Sequence, residues 1–280
     1  MGRIDMYEDA QEIFDYLPIR RDTPENVYIN HLWQAFFILH GGEEVVRPFA
    51  VMPFHLLFML SAQYKMLQVA SAHKQATDLF FTGVGGRNKE QLLSEQRSVF
   101  DMALINERTI PDIFQLTKVD SEVIKKFKKL VDERNDNLAH AKGGIEHDLE
   151  KKLTEYIAVL ESIQKSCVQI NEKLADEWIL EIKTGDDLGE FLESYFLDFR
   201  LSPRDFGDVV GKMLESEKLD YEQWEQVVNK GLELAYNQTV SVLLKISKHD
   251  LDDGKRFNAK RILNENRIDV SDLNDSELNH

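Results

Sequence analysis

The sequence predicts an all-α protein, and three observations lead to that prediction. Apolar residues recur every three or four positions along most of the 280-residue chain, which is the spacing of amphipathic helices. Only six Pro and 14 Gly are present, and these small numbers disfavour a turn-dense all-β fold. No alternating strand pattern of useful length occurs. The hydrophobic fraction of 42% supplies enough apolar material for a substantial core.

The apolar spacing predicts the helices in order along the chain. The first covers 25–40, because Thr23-Pro24 is a start signal and Gly41-Gly42 is a stop signal. The second, 48–72, is apolar nearly all round in its first half, which is typical of a helix at the centre of a bundle or in an oligomer interface. The other predicted helices cover 88–106, 121–142, 147–182, 188–199, 203–215 and 221–248.

The segment Thr184 to Asp187 interrupts this spacing and is the best candidate for a domain boundary. We therefore expect a helical bundle over 1–183. A C-terminal helical region over 184–280 follows, and it ends in an acidic tail.

The overall charge excludes some classes of function. A formal net charge of −16 argues against a general nucleic-acid coat or a basic membrane binder, although a small local basic site stays compatible with it. A single cysteine, Cys167, excludes an internal disulfide and any multi-cysteine metal site. The N-terminus does not read as a signal peptide, and the most apolar stretch, 49–60, is too short to span a bilayer. A cytoplasmic location without membrane contact is therefore expected.

One arginine lies where a charge is costly. On a helical wheel, Arg134 shares its side of the helix with apolar residues, namely Val123, Phe127, Leu130 and Leu138. An unpaired guanidinium in such a stripe is unfavourable, so Arg134 needs an acidic partner, a subunit interface or an anionic ligand. The common fate of such a residue is an ion pair with a carboxylate from a neighbouring helix.

A histidine follows that arginine by six positions. On a regular helix His140 falls about 120° away from Arg134 and roughly 9 Å further along the axis. The two side chains therefore meet only if the helix is distorted near Gly143-Gly144 or if a second copy of the chain contributes. Otherwise His140 is a solvated or capping histidine near a helix C-terminus, where the dipole favours its charged form.

The run from Arg134 to His140, RNDNLAH, resembles the signature of the HEPN superfamily (higher eukaryotes and prokaryotes nucleotide-binding domain). That signature is an Arg, commonly followed by Asn, Asp or His, and then a His after four to six residues. The predicted helices 121–142 and 147–182 also follow the order of elements in that family. The resemblance covers Pro24 to about Lys183 and implies a HEPN-like helical bundle, to which the C-terminal helical region is an extension.

The resemblance implies a metal-independent endoribonuclease without a cofactor, in a toxin–antitoxin or antiphage (abortive-infection) setting, and commonly a homodimer. Arg134 and His140 would be catalytic, and Asn135 would be their polar helper. The chemistry is coherent because RNA carries its own nucleophile, the 2′-hydroxyl. An imidazole can move that proton, and a guanidinium can bind the phosphate and stabilise the developing phosphorane.

Four lysines on the same predicted helix are candidates for guiding RNA to the site: Lys125, Lys126, Lys128 and Lys129. A solvated helix face explains them equally well. Two other interpretations of the whole chain stay open. The bundle could be a non-catalytic nucleotide- or protein-binding adaptor, in which Arg134 and His140 only stabilise an interface. The acidic chain could also be one half of a pair whose antitoxin or nucleotidyltransferase-like partner silences the site.

Overall fold

The computed structural model describes residues 10–19, 23–94, 97–136, 149–182, 200–249 and 253–266. All regular secondary structure in these ranges is helical, which confirms the predicted all-α class. Several predictions lie outside the described residues: the boundary at 183/184, the helix at 188–199, the acidic tail and His140.

The α-helices of the described ranges are α1 (Thr23–Gly41), α2 (Val51–Ala72), α3 (Lys74–Val84), α4 (Lys89–Leu93), α5 (Ser121–Arg134), α6 (Leu149–Ile182), α7 (Pro203–Glu215), α8 (Tyr221–Leu234), α9 (Tyr236–His249) and α10 (Asp253–Glu265). Shorter 3-10 segments cover Glu12–Tyr16, Arg47–Ala50, Gly86–Asn88, Val99–Leu104 and Glu107–Thr117. No helix in these ranges has both the length and the apolar character needed to cross a membrane.

The described chain divides into two units between Ile170 and Asn171, inside α6, and residues 200–202 belong to the first unit. Helix α2 is the centre of this first unit. It packs against α1, α3 and the 3-10 segment Glu107–Thr117, and most of its side chains from Pro53 to Ala70 are buried. Its nearly continuous apolar sequence is therefore explained by a central position within the unit.

The segment Glu107–Thr117 connects the centre of the first unit to α5. It starts where the Asn106 side chain accepts a hydrogen bond from the Arg108 N–H at 2.9 Å. At its other end, the Thr117 and Ser166 hydroxyls lie 2.7 Å apart and join the segment to α6. The segment packs against both α2 and α5, so residues at its start lie between these two helices.

The second unit consists of the end of α6 and helices α7 to α10. Asn171 is buried and donates hydrogen bonds from its amide nitrogen to Asp205 and Asp208, both at 2.9 Å. These bonds join α6 to α7 and satisfy the carboxylate of Asp205, which is itself fully buried. Trp224 donates from its indole to the Leu214 carbonyl and so fixes α8 against the end of α7.

Two predicted helices are wrong in extent. The predicted helix 88–106 is instead the short α4 and a separate 3-10 segment. Ser94 leaves the helical conformation, and a capping box between Ser98 and Asp101 starts the new segment. The predicted helix 221–248 breaks at Ala235 (φ −148°, ψ 67°). The break returns Thr239 so close to Gly231 that a Cβ there would lie 2.6 Å from the Thr239 hydroxyl, so only glycine fits.

Candidate functional site

Arg134 occupies the last turn of α5, at the end of the buried face of that helix. Phe127 and Leu130 on the same face are buried, as the helical wheel predicts. The Arg134 side chain is 16% exposed, so most of it is shielded from water and a small part of it remains accessible. A charge in this position needs a partner.

Glu107 is that partner. Its carboxylate forms an ion pair and a very short hydrogen bond with Nη2 of Arg134, across the packing of the 3-10 segment on α5. The Glu107 side chain is 32% exposed. The Nε of Arg134 is buried and has no hydrogen-bond partner among the described residues. Of the three kinds of partner expected from the sequence, the described chain supplies the acidic one.

Glu107 also faces a histidine from the central helix. Nε2 of His55 lies 3.7 Å from Oε2 of Glu107, which is longer than a hydrogen bond but within the range of a strong electrostatic interaction. Nδ1 of the same ring lies 2.9 Å from the hydroxyl of Tyr156 on α6. His55 and Tyr156 are both buried. Arg134, Glu107, His55 and Tyr156 form a continuous chain of polar groups, which we call the polar chain.

The protonation of the polar chain follows from burial and charge. Burial, helped by the Arg134 cation, lowers the pKa of His55 against the opposing effect of Glu107, so the ring is neutral near pH 7. His55 and then Arg134 lower the pKa of Glu107 although its partial burial opposes them, so this carboxylate is ionised. Burial raises the pKa of Tyr156, which keeps its proton.

The protonation states of Glu107 and Tyr156 determine which nitrogen of the His55 ring carries the proton. An ionised carboxylate can only accept, so the tautomer that suits the network carries its proton on Nε2, facing Glu107. Nδ1 then accepts the hydrogen bond that the Tyr156 hydroxyl donates. In the polar chain the Tyr156 hydroxyl thus donates to His55, and the N–H of His55 faces Glu107. The Arg134 guanidinium is the outer end of the chain.

A second ion pair fixes the same end of α5. The ammonium of Lys152 on α6 is buried and contacts Glu133, the neighbour of Arg134, as well as Glu155 at 2.8 Å. Burial opposes the charge of Lys152, but the two carboxylates outweigh it and raise its pKa. The last turn of α5 is therefore held by α6 as well as by the Glu107 segment.

Two of the three predicted catalytic residues, Arg134 and Asn135, lie within the described residues, where they are neighbours in sequence. Asn135 directly follows Arg134 at the end of α5, and its backbone N–H donates to the carbonyls of Asp132 and Val131, three and four residues earlier. Its half-buried side chain makes no hydrogen bond within the described ranges. His140 lies in 137–148, outside the described residues, so its convergence with Arg134 stays a prediction.

The four candidate RNA-binding lysines lie on α5 as predicted, but most of their charge is already compensated. Lys125 pairs with Glu122, Lys128 with Asp112 and Lys129 with Glu133. Lys126 is exposed and has no ion pair in the part of the chain that the structure describes. In the same ranges, no three His, Cys, Asp or Glu side chains are grouped so that they could hold a metal ion.

Sequence reasoning missed Glu107, His55 and Tyr156. The need for a carboxylate was visible, because Arg134 falls in an apolar stripe. His55 also gave a signal, because it lies inside the most apolar stretch of the chain, where a polar side chain needs partners. Glu107 gave none, since it lies between predicted helices and nothing in the local sequence distinguishes it from other carboxylates of the chain.

Comparison with protein-family models, with curated proteins and with solved structures finds no match to this chain. The likeness to the HEPN superfamily therefore depends on the ten residues around Arg134 and on the order of helices, and membership stays a prediction.

Proposed function

We propose that the chain is a metal-independent endoribonuclease that cleaves RNA by attack of the 2′-hydroxyl on the adjacent phosphorus. Arg134 binds the phosphate and stabilises the charge that develops on it. His140 removes the proton from the 2′-hydroxyl or returns one to the leaving oxygen. Asn135 hydrogen-bonds the phosphate or orients His140. The first product is a 2′,3′-cyclic phosphate.

The single observation that supports this function is the state of Arg134. Its guanidinium is at the end of a helix, partly open to water, and held in one place by a carboxylate. A fixed, poorly hydrated guanidinium binds a phosphate oxygen with less loss of side-chain freedom than a solvated one. Asn135, beside it, has a side chain without a hydrogen bond among the described residues and supplies a second donor at the same helix end.

The acidic chain needs a local route for an anionic substrate. Lys126 is the exposed lysine of α5 without an ion pair in the described ranges, and it lies two turns before Arg134. We place RNA along the exposed face of α5 that carries Lys126. The other three lysines contribute only when RNA phosphates replace their carboxylate partners. The resemblance supports a homodimer with facing motifs, a toxin–antitoxin or antiphage setting, and an antitoxin or nucleotidyltransferase-like partner.

The test is cleavage of a labelled single-stranded RNA in excess chelator by the full-length chain. Wild type is expected to release 2′,3′-cyclic phosphate ends and to leave DNA of the same sequence intact, because DNA lacks the nucleophile. His140→Ala should lower the rate by about 100- to 10,000-fold, the usual contribution of a general acid or base. His31→Ala is the matched control, since His31 is an exposed histidine on α1. Equal cleavage by wild type and His140→Ala removes His140 from the mechanism.

A second candidate is a non-catalytic nucleotide- or protein-binding adaptor. It is favoured by the polar chain itself, because Arg134 already has the acidic partner that a buried guanidinium requires. Under this function, Arg134→Met unfolds the protein or dissociates an oligomer, and wild type leaves RNA intact in every condition. Size-exclusion chromatography and urea unfolding of Arg134→Met, together with the cleavage assay on wild type, separate the two candidates.

A further inference from the structure

Glu107 does more than neutralise the charge of Arg134, because it also faces a buried residue of the central helix α2. Its carboxylate contacts Arg134 on one side and faces the buried ring of His55 on the other. The backbone that carries it is fixed by the Asn106 cap at the start of the segment and by the Thr117–Ser166 contact at its end. Glu107 thus fixes the position of the Arg134 guanidinium, and the contacts of Glu107 with the core fix the position of its own carboxylate.

We infer that Glu107 is a positioning residue for Arg134, anchored by His55, and that it holds the guanidinium where the scissile phosphate binds; this inference rests on the proposed ribonuclease function. An arginine has four rotatable side-chain bonds, and ordering it costs rotamer entropy. The Glu107 contact meets that cost during folding, before RNA arrives.

The alternative role for such a carboxylate is a latch that occupies the guanidinium until RNA displaces it. A latch has to move away, and Glu107 is poorly suited to do so. His55 behind it is fully buried and is fixed at Nδ1 by the Tyr156 hydroxyl. Withdrawing the carboxylate would take its negative charge away from the buried His55 ring, which it faces at 3.7 Å, and from the largely buried Arg134 guanidinium, which is unfavourable.

A neighbouring ion pair supplies a matched control. Asp132 on α5 pairs with Arg108 at 3.4 Å, across the same packing of the 3-10 segment on the helix. Both of these side chains are more exposed than those of the Arg134–Glu107 pair, and among the described residues neither forms an ion pair with a member of the polar chain. Asp132→Asn and Glu107→Gln each remove one negative charge from the same contact between elements, and only the second removes the anchor of Arg134.

The experiment measures the rate of RNA cleavage per folded molecule, below the unfolding transition of each variant as determined by urea titration. Glu107→Gln is expected to lower this rate by about 100-fold, the scale of a 1 Å misplacement of a reacting group. Asp132→Asn should stay close to wild type. A merely structural Glu107 would shift the unfolding midpoint but leave the rate per folded molecule unchanged. Should Glu107→Gln fail to fold, Glu107→Asp replaces it, because it keeps the charge and withdraws the carboxylate by one methylene. The cleavage rate per folded molecule is expected to fall in this variant as well.

The outcomes are distinct. Wild-type rate in Glu107→Gln overturns the positioning role while the ribonuclease function stands. A faster rate than wild type also overturns it and identifies Glu107 as a latch. Equal losses in Glu107→Gln and Asp132→Asn attribute the effect to charge alone and overturn it as well. If wild type itself leaves RNA intact, the proposed function fails first, and the inference fails with it.

Discussion

The buried and exposed faces of α5 carry charge in opposite ways. On the exposed face, Lys125 and Lys129 pair with Glu122 and Glu133 of the same helix, three or four residues away. Such pairs contribute little to stability, because water screens them and the helix forms without them. On the buried face, Arg134 pairs with Glu107, 27 residues away in sequence, and through it with α2 and α6.

This difference indicates what each charge is able to do. The exposed pairs of Lys125 and Lys129 lie within one helix, so these lysines can exchange their carboxylate partners for a ligand at little cost, and Glu133 then keeps Lys152 of α6 as a partner. The polar chain is the reverse: its members are buried or partly buried, and removing one takes a hydrogen-bond or charge partner from the next. Function that needs a fixed group belongs to the buried face, and function that needs exchangeable charge belongs to the exposed face.

The largest contrast between the two faces is expected in stability. Phe127 is fully buried on α5, and its ring lies 4.7 Å from that of Phe58 on α2. Phe127→Ala should lower the free energy of unfolding by about 3–5 kcal/mol, because it removes the buried ring and leaves a cavity. The adjacent exposed substitution, Lys126→Ala, should change it by less than about 0.5 kcal/mol. Urea titration measures both, and similar losses would contradict the assignment of the two faces.

The next largest effect tests the inner end of the polar chain. Tyr156→Phe removes the hydroxyl that donates to Nδ1 of His55 and leaves that buried nitrogen without its donor. We expect a loss of about 1–3 kcal/mol in the free energy of unfolding. Tyr236→Phe is the control, because the Tyr236 side chain is 48% exposed and its hydroxyl makes no hydrogen bond among the described residues. Equal effects of the two substitutions would show that the hydrogen bond to His55 contributes nothing.

The sequence predicted the positions of several helices and the buried face of α5, but it did not predict the breaks within two other predicted helices. Helical periodicity located α1, α2, α5, α6 and α7 closely, because the spacing of apolar residues is a local property. The same spacing placed Arg134 in the apolar stripe and so predicted its need for a partner. The breaks at Ser94 and Ala235 were missed, since they depend on a capping box and on the close approach of Thr239 to Gly231.

The partner itself could not be found from the sequence. Glu107 contacts Arg134 only because the 3-10 segment packs against both α2 and α5. The spacing of apolar residues along the chain does not predict such a contact between distant segments. With 50 acidic residues in the chain, the presence of a carboxylate carries no information about which one is used. His55 could have been recognised as a polar group in an apolar helix that requires partners of its own.

A smaller effect is expected in the pH dependence of stability. The pKa of His55 is lowered by burial, so the unfolded chain binds a proton below about pH 6.5 that the folded chain does not. The free energy of unfolding therefore falls as pH decreases from about 6.5, by at most about 1.4 kcal/mol per pH unit for one group. The lowered pKa of Glu107 acts in a separate window, below about pH 4.5.

The variant His55→Gln should show a shallower fall in unfolding free energy between pH 6.5 and pH 5. His31→Gln, which replaces an exposed histidine on α1, is the control variant. The slope is compared rather than the absolute stability, since His55→Gln also disturbs Tyr156. A wild-type slope in His55→Gln would mean that this ring does not titrate on unfolding.

The smallest effect concerns RNA binding by the exposed face. Lys126 has no carboxylate to release in the described ranges, whereas Lys125 must leave Glu122 before it can bind a phosphate. Lys126→Ala is therefore expected to reduce the slope of log affinity against log salt by about 0.7, the value for one phosphate of a single strand, and Lys125→Ala by less. Fluorescence anisotropy with labelled RNA at several salt concentrations measures both slopes, with His140→Ala as the common background to prevent cleavage. Equal slopes in both variants and in the background protein would identify these lysines as a solvated face with no part in RNA binding.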